Sequence, residues 1–161
     1  MSVQCLPQPL QAYRIGDPDG DFPIFDATGA QLYPGRWNDQ DTPVIYACEH
    51  YSTAMLEKLA HAGSLLPPNQ HYITITLPQG LSYEVVTKDH LPGWDTEEPT
   101  ASAAFGAAWA TEQRSALLIV PSYVARLESV YVINPAHPDF PQIQHDLPTP
   151  VWWDRRLFGA P

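Results

Sequence analysis

Positive charge is scarce in this sequence. Eight Lys and Arg stand against eighteen Asp and Glu, for a formal net charge of −10. Tracking nucleic-acid phosphates needs clustered Lys and Arg, so direct nucleic-acid binding is not expected. An acidic surface suits a basic protein partner or plain solubility. Cysteine is nearly absent. Cys5 and Cys48 have no metal-ligand spacing and form no disulfide framework, so two inert thiols in a reducing cytosol are expected. The nine glycines are scattered, which excludes a phosphate loop and a dinucleotide fingerprint. No apolar run approaches the ~20 residues a membrane span needs. The opening MSVQCLPQPLQAYR has neither a basic nor an apolar stretch, so no signal peptide is expected and the protein is read as cytoplasmic.

What remains is a chain of 161 residues, 44% hydrophobic, with eighteen prolines. That length closes its own core, so one domain over residues 1–161 is expected, with 1–10 as a loose arm. Alternation reads as strands at 12–15, 44–47, 71–77, 81–86, 116–120 and 129–133. A helix is expected from about Ser52 to Ala62, ended by Gly63, and another over 101–111 capped by Thr100. Short strands and helices mix without a regular βαβ rhythm, which points to a compact α+β fold. On a helical wheel Tyr51, Met55, Leu56, Leu59, Ala60 and Ala62 share one arc. Glu57 falls outside it, beside Thr53 and His61, which reads as an exposed residue paired with His61.

The familiar catalytic patterns are missing. There is no Gly-x-Ser-x-Gly, and Ser122 with a distant His137 or His145 makes a weak triad. No histidine has zinc spacing, and no metal is expected. The Asp-rich turn at 16–21 lacks the twelve-residue calcium pattern. A few polar residues at element ends stand out instead: Arg14, Arg36 in Gly35-Arg36-Trp37-Asn38, Tyr46, Glu57 and Ser122. Guanidinium forks suit a pyrophosphate. Rings such as Trp37 and Tyr46 suit a base or nicotinamide face. A carboxylate suits an oxocarbenium-like ribose centre. The plain alternative is that both arginines pair with the many acids and Tyr46 is core.

In order and spacing these residues resemble the RES domain, named for an Arg, a Glu and a Ser and found in toxins beside Xre-type antitoxins. The resemblance runs from Tyr13-Arg14 through Gly35-Arg36-Trp37-Asn38 and the strand at 42–47 to Ser52–Glu57. It continues through Gly106 with Trp109, Leu118-Ile119-Val120-Pro121-Ser122, Ile133-Asn134-Pro135 and His137-Pro138 to Asp154 with Arg156-Leu157-Phe158. Two places depart from the pattern: Asp41 where a turn glycine is expected, and Ser129-Val130 where an Asn often precedes the strand into Asn134-Pro135. The resemblance implies a split, mixed sheet around an NAD cleft, as in ADP-ribosyltransferase toxins. It implies NAD as substrate, with the nicotinamide–ribose bond cleaved by hydrolysis or phosphorolysis, or ADP-ribose transferred to a protein. Arg14 and Arg36 would hold the phosphates or orient the ribose. Tyr46 would line the nicotinamide pocket. Glu57 would stabilise the ribose cation or polarise a ribose hydroxyl, and Ser122 would bond NAD or position Glu57. The implied partner is an Xre-type helix-turn-helix antitoxin. A different class, a non-catalytic interaction module, is the alternative.

Overall fold

The computed structural model describes residues 2–63 and 65–159. Among the described residues, nine strands form one mixed sheet. In chain order they are β1 (Gln4–Cys5), β2 (Leu10–Gly16), β3 (Ile45–Cys48), β4 (His71–Leu77), β5 (Ser82–Val85), β6 (Leu117–Pro121), β7 (Ser129–Ile133), β8 (Gln144–His145) and β9 (Thr149–Pro150). Their spatial order is β1-β5-β6-β7-β3-β2-β4-β8, with β9 also on β4. Only β5 and β6 run parallel. Three helices complete the α+β architecture: α1 (Thr28–Leu32), α2 (Tyr51–Ala62) and α3 (Thr100–Thr111).

Side-chain alternation sorts the strands onto two faces. Ala12, Ile45, Ala47, Ile73, Ile75, Leu117 and Ile133 build one core cluster. Ile15, Val44, Cys48, Leu118, Val120, Val130 and Val132 build the other. The second is covered by α2 and α3 through Ala54, Trp109 and Ala110. The first is covered by loop residues such as Leu6, Ile24 and Ile143. No helix among the described residues is long and apolar enough to cross a membrane.

The described part of the expected loose arm over residues 1–10 is anchored at residues 4–6; Met1 lies outside the described residues. Gln4 and Cys5 pair with Tyr83 and Ser82, and Leu6 is buried in the core. A two-residue strand gives too short an alternation to read from sequence, but burying Leu6 supplies the anchor. α3 starts at Thr100 itself, behind Pro99 and without a side-chain cap. Gly63 does end α2, at a φ of 67° that favours glycine.

The sheet is nearly split in its middle. β2 and β3 share a single register pair, Tyr13 with Cys48, whereas β2 and β4 share seven, from Leu10 with Leu77 to Gly16 with His71. The strands diverge on either side of that pair, and a cleft opens along the seam. Tyr13, Arg14, Ile15, Tyr46, Ala47 and Cys48, all from these two strands, line it.

Candidate active site

The seam creates a backbone problem that Arg14 solves. Where β2 and β3 part, the Tyr46 carbonyl has no ladder partner on β2. The Arg14 Nη1 donates to it at 2.8 Å, and Nε donates to the Ile24 carbonyl at 2.6 Å. The guanidinium thus stitches the halves of the sheet together while lining the cleft. Burial is the largest influence on it and lowers its pKa, against the pull of Asp26. No carboxylate pairs with Arg14 or Arg36 among the described residues. The plain alternative, arginines consumed by surface acids, does not hold.

The Gly35-Arg36-Trp37-Asn38 loop is built around Tyr46. The Tyr46 hydroxyl accepts from the Trp37 N–H at 2.9 Å and donates to Asn38 Oδ1 at 2.7 Å. Asn38 Oδ1 also accepts from the Gly35 N–H, and its amide donates to the carbonyls of Ala30 and Asp39. Gly35 lies so close to the Tyr46 ring that a Cβ there would sit 2.8 Å from it. Burial pushes the Tyr46 hydroxyl above its usual range, so it stays protonated. Its hydrogen-bonding capacity is committed to the loop, and what it offers the cleft is ring surface. Trp37 is not a stacking platform. It is 2% exposed, edge-on to Phe105, with its carbonyl seated on Gly106, where a Cβ would come within 1.8 Å. The departure at Asp41 costs nothing. Asp39 Oδ1 accepts from both the Asp41 N–H and the Thr42 hydroxyl, closing the turn without a glycine.

That scaffold aims Arg36. Its Nη1 donates to the carbonyls of Trp94 (3.0 Å) and Thr96 (2.7 Å). Its guanidinium lies 3.8 Å from the Tyr123 ring centroid, a cation–π contact. Tyr123 is also flanked by Arg126, which pairs with Asp95. The loop after β6 is therefore pinned on the cleft side by stacked arginines.

Helix α2 supplies the carboxylate. Its burial departs from the expected arc: Thr53 and Ala54 are the buried positions, while Leu56 is 41% exposed. Ala54, Glu57, Lys58 and His61 instead line the cleft. They follow the i, i+3, i+4, i+7 spacing of a single helical stripe. The wheel failed because it sought a dry face, whereas this stripe looks into a solvent-open cleft. His61 bonds the Glu57 carbonyl rather than its carboxylate. Glu57 Oε1 accepts from the Ser122 hydroxyl at 2.8 Å, and Oε2 has no donor among the described residues. Ser122 is fully buried at the end of β6. Its Oγ also accepts from the Ala125 N–H at 3.0 Å, holding the turn. Beside this pair, burial and the Glu57 charge push the Cys48 thiol up to about 12, so it is an inert neutral lining group.

Two other candidate sites dissolve. His137 accepts from the Asp139 N–H and His145 bonds the Asp146 carbonyl, so neither forms a triad with Ser122. Asp17 and Asp19 accept from the Asn69 amide, so the Asp-rich turn is a loop clasp. Among the described residues, Glu49, His50 and Glu128 bring ligand atoms within 4.8 Å of one another. They lie outside the cleft lining, where His50 pairs with Glu128 at 2.5 Å.

The five expected residues converge. Arg14, Arg36, Tyr46 and Glu57 line one cleft of about 650 Å³, with Ser122 bonded behind Glu57. That volume is in the range of small-molecule sites. Lys58 and Tyr123 also line the cleft and were not singled out from sequence. The stripe spacing from Glu57 would have found Lys58; nothing local marks Tyr123.

The chain is 42% identical over 116 residues to the Prs ADP-ribosylating toxin of Sphingobium sp. (strain YBL2), covering 69% of this chain and 72% of that protein. It is 32% identical over 136 residues to Toxin Res of Pseudomonas putida, covering 81% and 90%. It is also 32% identical over 119 residues to Toxin Res of Photorhabdus laumondii, covering 72% and 76%. Its fold is similar to a chain in the crystal structure of the M. tuberculosis MbcT–MbcA toxin–antitoxin complex. There the TM-score is 0.72 at 17% identity, over 96% of this chain and 90% of that one. The family model for the RES domain matches residues 11–154, a span that holds Arg14, Arg36, Tyr46, Glu57 and Ser122, and this chain belongs to that family.

Proposed function

We propose that this protein is an enzyme that cleaves the nicotinamide–ribose bond of NAD, as the toxin of a toxin–antitoxin pair. The observation that carries the reading is the Glu57–Ser122 pair in a largely aromatic and apolar cleft that also holds three cations. In this otherwise acidic chain, three of the eight Lys and Arg line the cleft, and Glu57 is the one carboxylate lining it among the described residues. Such a site attracts an anion and confronts it with one fixed negative group. A dinucleotide with a diphosphate and a ribose centre that becomes cationic on cleavage fits both requirements.

Arg14 and Arg36, braced by backbone carbonyls, would take the phosphates. The Tyr46 ring would bound the nicotinamide. As the ribose C1′–N bond breaks, nicotinamide leaves with the electron pair, and Glu57 faces the positive charge growing on the ribose. Ser122 fixes the carboxylate, so little reorganisation accompanies the step. Water or phosphate then adds to C1′ and loses a proton. No metal enters this scheme.

A second reading is transfer of ADP-ribose to a protein side chain, favoured by the relative whose name is Prs ADP-ribosylating toxin. The toxin reading brings a cytoplasmic setting and an Xre-type helix-turn-helix antitoxin. An antitoxin that covers the cleft mouth would meet the exposed Tyr33, Tyr123 and Val124, which line it. Incubating the purified protein with labelled NAD, with and without phosphate and cell lysate, separates the outcomes. Free ADP-ribose marks hydrolysis, a phosphate-dependent product marks phosphorolysis, and label on a protein band marks transfer. Intact NAD in every arm overturns the reading and leaves a non-catalytic binding module.

A further inference from the structure

We propose that Lys58 is a binding residue for the diphosphate of the dinucleotide, acting as a pair with Arg14; this rests on the NAD reading above. Lys58 sits on the cleft-lining stripe of α2, one residue after Glu57, and is half-buried. The other sheltered cations of the described residues all have acceptors: Arg114 forms a bidentate pair with buried Glu84, and Arg14 and Arg36 donate to backbone carbonyls. Lys58 has neither a carboxylate partner nor a hydrogen-bond acceptor among the described residues. With eighteen acids available, a sheltered and unpaired lysine is the reverse of what a merely soluble surface produces.

The ammonium is also held in an unfavourable setting. Burial first, and then the Arg14 charge, lower its pKa. An anion lying between Arg14 and Lys58 favours the charged ammonium and so offsets both effects. The division of labour between the two cations is chemical. Arg14 commits Nε and Nη1 to the carbonyls of Ile24 and Tyr46, so its plane is fixed by the seam of the sheet. Lysine carries three donors on a flexible stem and no acceptor. It can follow phosphate oxygens that a fixed guanidinium cannot reach. In NAD its strongest match is the diphosphate, whose oxygens carry the negative charge. Glu57, the neighbouring side chain on the stripe, already has Ser122 as its partner.

The test compares wild type with Lys58→Gln and Lys58→Arg on two substrates that share the scissile bond. NAD has the diphosphate; nicotinamide riboside has no phosphate. Lys58→Gln is expected to raise KM for NAD roughly tenfold, with kcat within about twofold, and Lys58→Arg to restore most of it. Neither change should alter turnover of nicotinamide riboside. Equal losses on both substrates, or losses that track a lowered melting temperature, overturn the proposal. Calorimetry with ADP, which needs no turnover, separates this inference from the reaction itself. Weaker ADP binding by Lys58→Gln supports the diphosphate contact even if wild type leaves NAD intact. Unchanged ADP binding by a variant of an NAD-cleaving enzyme overturns Lys58 alone. Calorimetry with inorganic phosphate completes the set: a loss confined to phosphate, with ADP unaffected, assigns Lys58 to a free anion and overturns the diphosphate assignment.

Discussion

Replacing Ser122 by alanine removes one oxygen from a fully buried position and severs two hydrogen bonds. The first is the donation to Glu57 Oε1 at 2.8 Å. A hydrogen bond to a charged group is worth about 1.5–3 kcal/mol. The second is acceptance from the Ala125 N–H at 3.0 Å, worth about 1 kcal/mol. Glu57 is partly exposed to the cleft, so water recovers some of the first in the resting enzyme. Net destabilisation of about 1–2 kcal/mol is therefore expected, a fall of roughly 2–8 °C in a chain of this size. In the reaction, water is a poor substitute for a fixed donor, because the carboxylate must hold its position as charge develops. If most of the 1.5–3 kcal/mol appears in the barrier, kcat drops about 10- to 100-fold. KM should move little, since the hydroxyl lies behind the carboxylate. The assay is initial-rate nicotinamide release at saturating NAD, run well below the melting temperature, with thermal denaturation in parallel. A variant that melts lower yet keeps kcat within twofold would refute the reasoning, leaving Ser122 as a loop cap alone.

Other perturbations probe the scaffold. Tyr46→Phe should leave the Trp37 N–H without its acceptor, costing about 1–3 kcal/mol. It should raise KM while the pH–rate profile keeps its shape, because burial already holds the hydroxyl protonated; a lost ionisation in the profile would make Tyr46 a proton donor. Gly106→Ala would drive a Cβ to 1.8 Å from the Trp37 carbonyl. The backbone must then shift, for about 1–3 kcal/mol or more; calorimetry showing an unchanged melting temperature would argue against the close approach. The His50–Glu128 contact ties the start of α2 to the loop after β6. Its hydrogen bond to Glu128 raises the His50 pKa. The contribution is therefore full below the unfolded value of about 6.5 and fades as pH rises through the higher folded value. Denaturant titrations of wild type and Glu128→Gln should differ at low pH and converge at high pH; a gap that widens with pH contradicts the assignment.

Most strand positions were legible because alternation such as that at 71–77 is a local signal with a simple cause; the order of the strands in the sheet was not. The N-terminal strand was not, because its anchoring depends on Leu6 finding a core that β4, β5 and loop residues build. Glu57 illustrates the limit of a helical wheel. Amphipathic analysis assumes that the inward face is apolar, and here the inward stripe of Ala54, Glu57, Lys58 and His61 faces a cleft. The five site residues were readable as a family pattern, but their physical roles were not. That Arg14 bridges a break in the sheet depends on the single register pair between β2 and β3. That the Tyr46 hydroxyl serves the loop rather than the substrate depends on Asn38 arriving from eight residues away.

Glu57→Gln tests the central claim most directly. The change keeps the shape and an oxygen that can still accept from Ser122, and removes the negative charge. Nicotinamide release from NAD by the purified protein should fall about 100- to 1000-fold, with ADP binding and melting temperature near those of wild type. Release by the variant at the wild-type rate, or no release by wild type, would contradict the account.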